Sequence, residues 1–165
     1  MSDLDLRADC ARCAALCCVA FHFDRSEDFA IDKAAGKTCP HLAGAGHCRI
    51  YGRRIQRGFR GCVGYDCHGA GQWVTQVLFK GESWLETPAL LAPMTEAFLK
   101  VERARRLLAL LREAAKLDLS PADRRRIAIL ESAVREAASS LGSVADLEAE
   151  ASLFLRTLRR YVAGK

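Results

Sequence analysis

The sequence predicts a mainly α-helical protein in which a loop-rich, cysteine-containing module precedes an antiparallel helical bundle. Two observations lead to this prediction. All eight cysteines lie within the first 67 residues of the 165-residue chain. From residue 72 onward, apolar residues recur at the three- and four-residue spacing of amphipathic helices. We therefore divide the chain into a cysteine-rich metal-binding module, residues 1–70, and a helical bundle, residues 71–165.

The helical half begins with two predicted helices. Gln72 to Phe79 places apolar side chains at four-residue spacing, and Gly81 ends the segment. A longer helix runs from near Pro93 to Leu117. Its apolar stripe is Met94, Phe98, Val101, Leu108, Leu111 and Ala115. We interpret this stripe as core packing and assign it no chemistry.

Capping signals predict two further helices. Ser120 is a capping residue, Pro121 suits the first helical position, and Asp123 places an acid in the first turn. Ser143 and Asp146 repeat this pattern at the next helix. Long amphipathic helices joined by short loops pack as an antiparallel bundle. Three helices leave room for a partner, so a homodimer or another protein partner is an open expectation.

The cysteines form the most informative pattern in the chain. Four of them fall within nine residues, CARCAALCC, at the spacing C-x2-C-x3-C-C. Four thiolates complete a zinc site or hold an iron–sulfur cluster. On one helix, Cys10, Cys13 and Cys17 would share a face. The sequence predicts zinc or iron as the cofactor and eight metal ligands: Cys10, Cys13, Cys17, Cys18, Cys39, Cys48, Cys62 and Cys67.

The expected compartment favours metal over disulfides. No apolar run approaches the ~20 residues that span a bilayer, and the start, MSDLDLRADC, lacks the basic and apolar regions of a secretion signal. We therefore expect a cytoplasmic protein without a membrane partner. Thiols in the cytosol are kept reduced, which favours a bound metal.

The net charge of +5 is concentrated in residues 36–72, which carry six bases and one acid. This stretch is too short to indicate a nucleic-acid-binding protein. Its arginines are Arg49, Arg53, Arg54, Arg57 and Arg60. We interpret these arginines as a solvated helix face. The alternative interpretations are that they compensate the negative charge of thiolates or form a docking site for an acidic partner.

Two other functions remain open. A thiol–disulfide switch could use Cys17 with Cys18, or Cys62 with Cys67. A cluster-dependent redox enzyme would use some cysteines as nucleophiles. No paired carboxylates, activated serine or Cys/His dyad indicates a reaction, so we predict no catalytic residue. Three histidines near the cysteines are alternate ligands or ordinary loop residues: His41, His47 and His68.

Several motifs resemble the CxxCxxCC family, described as zinc- or iron-chelating proteins. They are CARCAALCC, then CPHL at residues 39–42, then CRIY at residues 48–51. Arg53 and Arg54 stand where that family has Arg-Pro. The resemblance implies a metal-binding protein with a structural, sensory or electron-carrying role.

Three stretches are similar to the cysteine-rich N-terminal region of actinobacterial pentapeptide repeat-containing proteins. They are Asp9 to Cys18, Phe29 to Lys33 and Gly61 to Gln76. In those proteins a helical region follows. The repeat itself, Ala-(Asp/Asn)-Leu-x-x, does not follow Tyr161 in this chain. Neither resemblance supplies a reaction.

Overall fold

The computed structural model describes residues 6–162 and shows a mainly α-helical protein, as the sequence predicts. The chain divides into two compact units, residues 1–99 and residues 100–165. The sequence-based division falls after residue 70, whereas the first compact unit also includes residues 71–99. These residues belong with the cysteine segments because their side chains hydrogen-bond to them. No helix in the described part of the chain is long and apolar enough to cross a membrane.

Short helical turns joined by loops make up the cysteine segments. They are a 3-10 turn at Cys10–Arg12, α1 at Cys17–Ala20, a 3-10 turn at Tyr51–Arg53 and α2 at Arg60–Gly64. The prediction of one helix through Cys10, Cys13 and Cys17 is wrong. Cys13 is extended, and Ala15 has a φ of 54°, which no right-handed helix accommodates. The loop between the two turns therefore sets the directions of these cysteines.

An apolar core underlies the loops of the first unit. Phe23 and Lys33 form an antiparallel bridge that closes one loop. The rings of Phe23 and Phe29 stack with centroids 4.2 Å apart, and both meet the buried Phe59 edge-on. Leu16, at the start of α1, is fully buried. Burial of these side chains stabilises the loops. A small domain needs this because it buries only a limited fraction of its surface.

The predicted helix over Gln72 to Phe79 is present but begins two residues earlier. Helix α3, Ala70–Trp73, continues directly as a π-helix, Val74–Leu78. Gly81 follows its end with a φ of 89°, a conformation that favours glycine. A π-helical turn is uncommon and is often found at functional sites.

Three longer helices follow. A 3-10 turn at Pro88–Leu90 leads into α4, Leu91–Ala115, and then come α5, Pro121–Ser139, α6, Ala145–Thr157, and a 3-10 turn at Leu158–Tyr161. Short connections make successive helices antiparallel. The predicted stripes are largely buried in the second unit, as shown by Val101, Leu108, Leu111, Ile127, Leu130, Val134, Ala151 and Leu158.

The predicted cap of α5 is confirmed. The Ser120 hydroxyl accepts a hydrogen bond from the Asp123 amide at 3.2 Å and donates one to the Asp123 carboxylate at 2.7 Å. The same carboxylate accepts hydrogen bonds from Tyr161 at 2.5 Å and Arg160 at 2.7 Å. The bonds from Tyr161 and Ser120, followed by that from Arg160, lower the pKa of Asp123. One carboxylate thus joins the start of α5 to the end of the second unit.

The predicted cap of α6 differs from the structure. Val144 occupies the capping position and makes no side-chain hydrogen bond there. The Ser143 hydroxyl instead accepts from the Ala145 amide at 3.3 Å, within the loop. Asp146 lies in the first turn, where an acid favours the helix dipole.

Replacing Ser120 with alanine should lower the free energy of unfolding of the second unit by about 1 kcal/mol, because the α5 cap and one partner of Asp123 are lost together. Urea denaturation of the full chain, followed by far-ultraviolet circular dichroism, measures this. The matched control, Ser143→Ala, should have a smaller effect. Equal losses in both variants would contradict the assigned role of the Ser120 cap.

Candidate metal centre

All eight cysteines of the chain are free thiols in the first unit. Cys10 is exposed, and the other thiols are partly buried. Electrostatic effects among them suggest two overlapping sets, with Cys18 acting on members of both. The first set is Cys10, Cys13, Cys17 and Cys67. The second set is Cys18, Cys39, Cys48 and Cys62.

Cys67 brings the first set together. Burial is the main cause that raises the pKa of Cys10 and, to about 11, the pKa of Cys13. The charge of Cys67 adds to both shifts, so both thiols lie near it. The pKa of Cys17 is raised chiefly by its hydrogen bond to Cys18, then by burial and by the charge of Cys18, and the charges of Cys13 and Cys67 add smaller effects. A metal bound by this set would therefore have to displace protons.

Backbone contacts assemble the second set. The Cys39 amide donates to the Cys18 carbonyl at 2.9 Å, and a bridge between Leu42 and Cys48 closes the following loop. Cys62 joins them from α2. Burial raises its pKa to about 11, and the charges of the other three thiols of the set add to the shift. Four separate chain segments thus contribute one thiol each.

The neighbouring residues Cys17 and Cys18 connect the two sets. The Cys17 thiol donates a hydrogen bond to the Cys18 sulfur. This bond lowers the pKa of Cys18 to about 7, against the opposing effect of burial, and Lys33 and Arg54 lower it further. Cys18 therefore carries substantial thiolate character near neutral pH, while Cys17 stays protonated.

Among residues 6–162, no three Cys, His, Asp or Glu side chains are arranged as the ligands of one metal ion. Metal ligation requires the thiolate, so Cys13 and Cys62, whose pKa values are raised, would each have to lose a proton to bind an ion. In the part of the chain that the structure describes, the thiols of the two sets are therefore neighbours and are not arranged as the ligands of one ion.

Polar side chains of α3 and the π-helix hold the segment before the first set. Gln72 is nearly fully buried, accepts from the Asp9 amide at 3.1 Å and donates to the Arg7 carbonyl at 2.6 Å. Gln76 donates to the Arg12 carbonyl at 2.9 Å. These hydrogen bonds hold backbone groups on both sides of Cys10 and so fix the path of the chain there.

Two further side chains hold the segment between Cys13 and α1. The Thr75 hydroxyl accepts from the Ala14 amide at 3.0 Å, and the Trp84 indole donates to the Ala14 carbonyl at 2.6 Å. Sequence reasoning missed these roles because it treated the helix as core packing. A signal existed, since Gln72, Thr75 and Gln76 share one helix face where an apolar stripe would be expected.

Gly71 leaves room for a cysteine of the first set. A methyl group on its Cα would overlap the Cys13 sulfur, so the Cys13 side chain would have to move to admit it. Cys67 lies just before this point, and its carbonyl accepts from the Ala70 amide at 2.9 Å. The start of α3 therefore brings Cys13 and Cys67 to the same place.

Two cations lie beside the thiols. The Lys33 ammonium is buried and donates to four carbonyls, including those of Val19 at 3.1 Å and Phe21 at 2.5 Å. Burial lowers the pKa of Lys33, while the charges of Cys39, Cys18 and Cys17 oppose that shift. Arg54 donates to the Cys62 carbonyl at 2.9 Å. Both cations favour the thiolate form of nearby cysteines.

The histidines have other contacts. The His41 ring meets Phe59 edge-on, with centroids 4.9 Å apart. The His68 ring lies 3.9 Å from the Asp66 carboxylate, measured from Nδ1 to Oδ2. His47 lies on the surface, and its carbonyl accepts from the Ala43 amide at 2.8 Å. The cysteines therefore remain the principal candidates for ligands.

Comparison with known proteins identifies a relative in Bacillus subtilis. The chain is 39% identical over 116 residues to "Uncharacterized protein YybG" of Bacillus subtilis (strain 168). The aligned region covers 70% of this chain and 42% of that relative, so the chain spans less than half of the relative's length. No family model matches the chain. No solved structure matches it either.

Replacing Gly71 with alanine should destabilise the first unit by about 1–3 kcal/mol, because the added methyl group and the Cys13 sulfur cannot occupy the same space. Urea denaturation under reducing, metal-free conditions measures this. Gly64→Ala is the matched control, since a Cβ there meets no atom within 4 Å. If the two variants lose equal stability, the contact with Cys13 is not the cause.

The metal-free protein should lose stability from about pH 9 to about pH 11. Cys13 and Cys62 have pKa values raised from 9.0 to about 11, so the folded form holds their protons longer than the unfolded chain. Their contribution is present below pH 9 and disappears as the pH rises through 11, a change of about 2 kcal/mol after allowance for partial exposure. Thermal melts across this range measure it. The loss should be smaller in Cys13→Ala, and an unchanged loss would contradict the assignment.

Proposed function

We propose that residues 1–99 form a metal-binding module with two centres, each held by four cysteine thiolates. The first centre would use Cys10, Cys13, Cys17 and Cys67, and the second would use Cys18, Cys39, Cys48 and Cys62. The observation that supports this most is that all eight cysteines are free thiols of one compact unit and act electrostatically on one another. Four is the number of thiolates that closes a zinc site or holds an iron–sulfur cluster.

The chemistry of the donor set favours zinc or iron. Sulfur ligands select zinc, copper(I) and iron–sulfur clusters over hard cations such as magnesium. Four thiolates leave no open position on zinc, so a zinc centre here would be structural or sensory. An iron–sulfur centre would add electron transfer to these roles. The resemblance to the zinc- or iron-chelating CxxCxxCC family supports the same class of function.

Metal binding would also stabilise the fold of the cysteine segments. The longest helical turn among residues 10–67 has five residues, at Arg60–Gly64. Segments with so little regular structure gain much of their stability from a bound ion, because metal binding and folding are then one equilibrium. The eight thiols need a reducing compartment to remain available, which favours the cytoplasm as the location.

A partner on the helices of the second unit is a further part of the proposal. Leu110, Ile129 and Leu153 are 53%, 59% and 65% exposed, and each lies on a different helix. Single exposed apolar side chains are ordinary, so association with a second copy or another protein requires that these three form one contiguous patch. Sedimentation of the full chain at increasing concentration tests this, and a monomer at all concentrations would count against a homodimer.

A thiol–disulfide switch is the second candidate function. The hydrogen-bonded pair Cys17 and Cys18 favours it, because Cys18 has a pKa near 7 and an adjacent thiol to exchange with. The other pair considered, Cys62 with Cys67, has its two members in different sets. Mass spectrometry after mild oxidation would detect a loss of two hydrogens confined to Cys17 and Cys18 if the protein acts as a switch.

Titration of the reduced full chain with Co²⁺ should show binding of about two ions per chain, with the intense thiolate charge-transfer absorption of tetrahedral sulfur sites. The double variant Cys10→Ser/Cys67→Ser should keep one ion, since both changes fall in the first set. Cys39→Ser/Cys48→Ser should also keep one. The cross-set variant Cys67→Ser/Cys48→Ser, with the same number of serines, should bind neither ion tightly.

The comparison between within-set and cross-set variants decides the proposal. Equal loss of cobalt in all three double variants would contradict two separate centres. Absence of cobalt binding by the unaltered chain would contradict the metal-binding function itself. Absorbance of anaerobically purified protein then separates the metals, because an iron–sulfur centre is brown and a zinc centre is colourless.

A further inference from the structure

Two arms of the chain, residues 18–23 and residues 33–39, run antiparallel in the first unit. At one end, the antiparallel bridge described above closes the loop between them. At the other end, the Cys39 amide donates to the Cys18 carbonyl at 2.9 Å. Each arm therefore carries one cysteine of the second set, and the backbone holds these two cysteines side by side.

The side chain of Lys33 lies between the two arms and is only 6% exposed. In the first arm, its ammonium donates to the carbonyls of Val19 at 3.1 Å and Phe21 at 2.5 Å. In the second arm, it donates to the carbonyls of Ala34 at 3.2 Å and Lys37 at 2.7 Å. Three N–H groups thus serve four carbonyls, two on each arm. We call these four hydrogen bonds the ammonium clamp.

The clamp resists separation of the arms. Carbonyl oxygens that converge on one point repel each other, because each carries a partial negative charge. A cation at that point removes the repulsion, and hydrogen bonds from an ionised donor are stronger than those between neutral groups. Without the ammonium, carbonyls that are shielded from water would lose a partner, which costs free energy.

The carbonyls of the clamp lie next to two proposed metal ligands. Val19 follows Cys18 directly, and Lys37 precedes Cys39 by two residues. Any opening of the arms therefore changes the separation of these two cysteines. Ligands that are already held in place bind an ion more tightly than ligands that must first be ordered.

We infer that Lys33 is a positioning residue for the second centre. Its ammonium clamps the arm that carries Cys18 to the arm that carries Cys39, and so fixes the separation of these two ligands. This inference rests on the proposed function. Lys33 does not itself bind the metal, since it acts through backbone carbonyls beside the ligands. Its removal weakens the second centre more than the first, because the four ligands of the first lie outside both arms.

Amide hydrogen exchange of the reduced, metal-free full chain tests the clamp itself. Lys33→Met nearly keeps the length of the side chain and removes the ammonium. The Cys39 amide should then exchange about tenfold faster, because the arms open more often. Lys37→Met is the matched control, since that side chain is exposed in the same loop, and it should leave the exchange rate unchanged. An unchanged rate at Cys39 in Lys33→Met would overturn the inference.

Co²⁺ titration against a competing chelator tests the role of the clamp at the metal. The variant Cys10→Ser/Cys67→Ser isolates the second centre, and Cys39→Ser/Cys48→Ser isolates the first. Addition of Lys33→Met should weaken cobalt binding about tenfold in the former and less than about threefold in the latter. Equal weakening in both would mean that Lys33 supports the whole first unit, and this result would overturn the inference.

Chemical rescue separates hydrogen bonding from charge. n-Propylammonium replaces the atoms that Lys33→Ala removes, so it should restore slow exchange of the Cys39 amide and tight cobalt binding at the second centre. Tetramethylammonium carries the same charge without an N–H group and should restore neither. Equal rescue by both ions would overturn the clamp. If Lys33→Met does not fold, Lys33→Ala refolded with n-propylammonium decides, since unchanged cobalt binding after removal of the amine would overturn the inference.

Failure of the proposed function gives a different result from failure of this inference. If the unaltered chain binds no Co²⁺, both the proposed function and the role of Lys33 at the centre are overturned. If the unaltered chain binds two ions and Lys33→Met binds both as tightly, this inference alone is overturned.

Discussion

The contact between the neighbouring thiols of Cys17 and Cys18 at the start of α1 is what links the two sets of cysteines in the first unit. One thiol belongs to each set, so this contact holds the two sets side by side. The chain between Cys13 and Cys17 leaves the helical path at Ala15, so Cys10 and Cys13 lie at a separate turn from Cys17 and Cys18, which are successive residues of α1.

The helix that follows the cysteines makes this arrangement possible. Gln72, Thr75 and Gln76 bind backbone groups of residues 7–14, and Gly71 gives the Cys13 sulfur its space. Buried polar side chains are tolerated here because each is hydrogen-bonded. The loops of the first set thus gain a rigid support.

The sequence predicted the regular elements well because their signals are local. Ser120 and Pro121 define the start of α5, and the apolar spacing of α4 and α5 identifies the buried residues. The cap at Ser143 was misplaced by one residue, since a loop serine can bond a neighbouring amide without capping a helix. Local signals therefore predict where a helix lies, but they predict its first and last residues less accurately.

The candidate site was predictable in its residue types and not in its grouping. Cysteine content and spacing indicated a sulfur-rich centre, but the partners of each thiol come from segments separated by up to 57 residues in sequence, as with Cys10 and Cys67. Long-range contacts of this kind leave no periodic pattern. The prediction of one helix through Cys10, Cys13 and Cys17 was wrong. The backbone at Ala15 is held in its positive φ by the packing of Leu16 and the hydrogen bonds of Ala14.

The measurement that tests the account most directly is X-ray absorption at the metal edge of the full chain loaded with zinc. The account predicts a shell of about four sulfur atoms per zinc at about 2.3 Å, without the scattering of imidazole rings. It also predicts the same shell for both ions, since each set supplies only thiolates. A shell that contains histidine nitrogen or carboxylate oxygen, or fewer than four sulfurs per ion, would contradict the division of the eight cysteines into two closed centres.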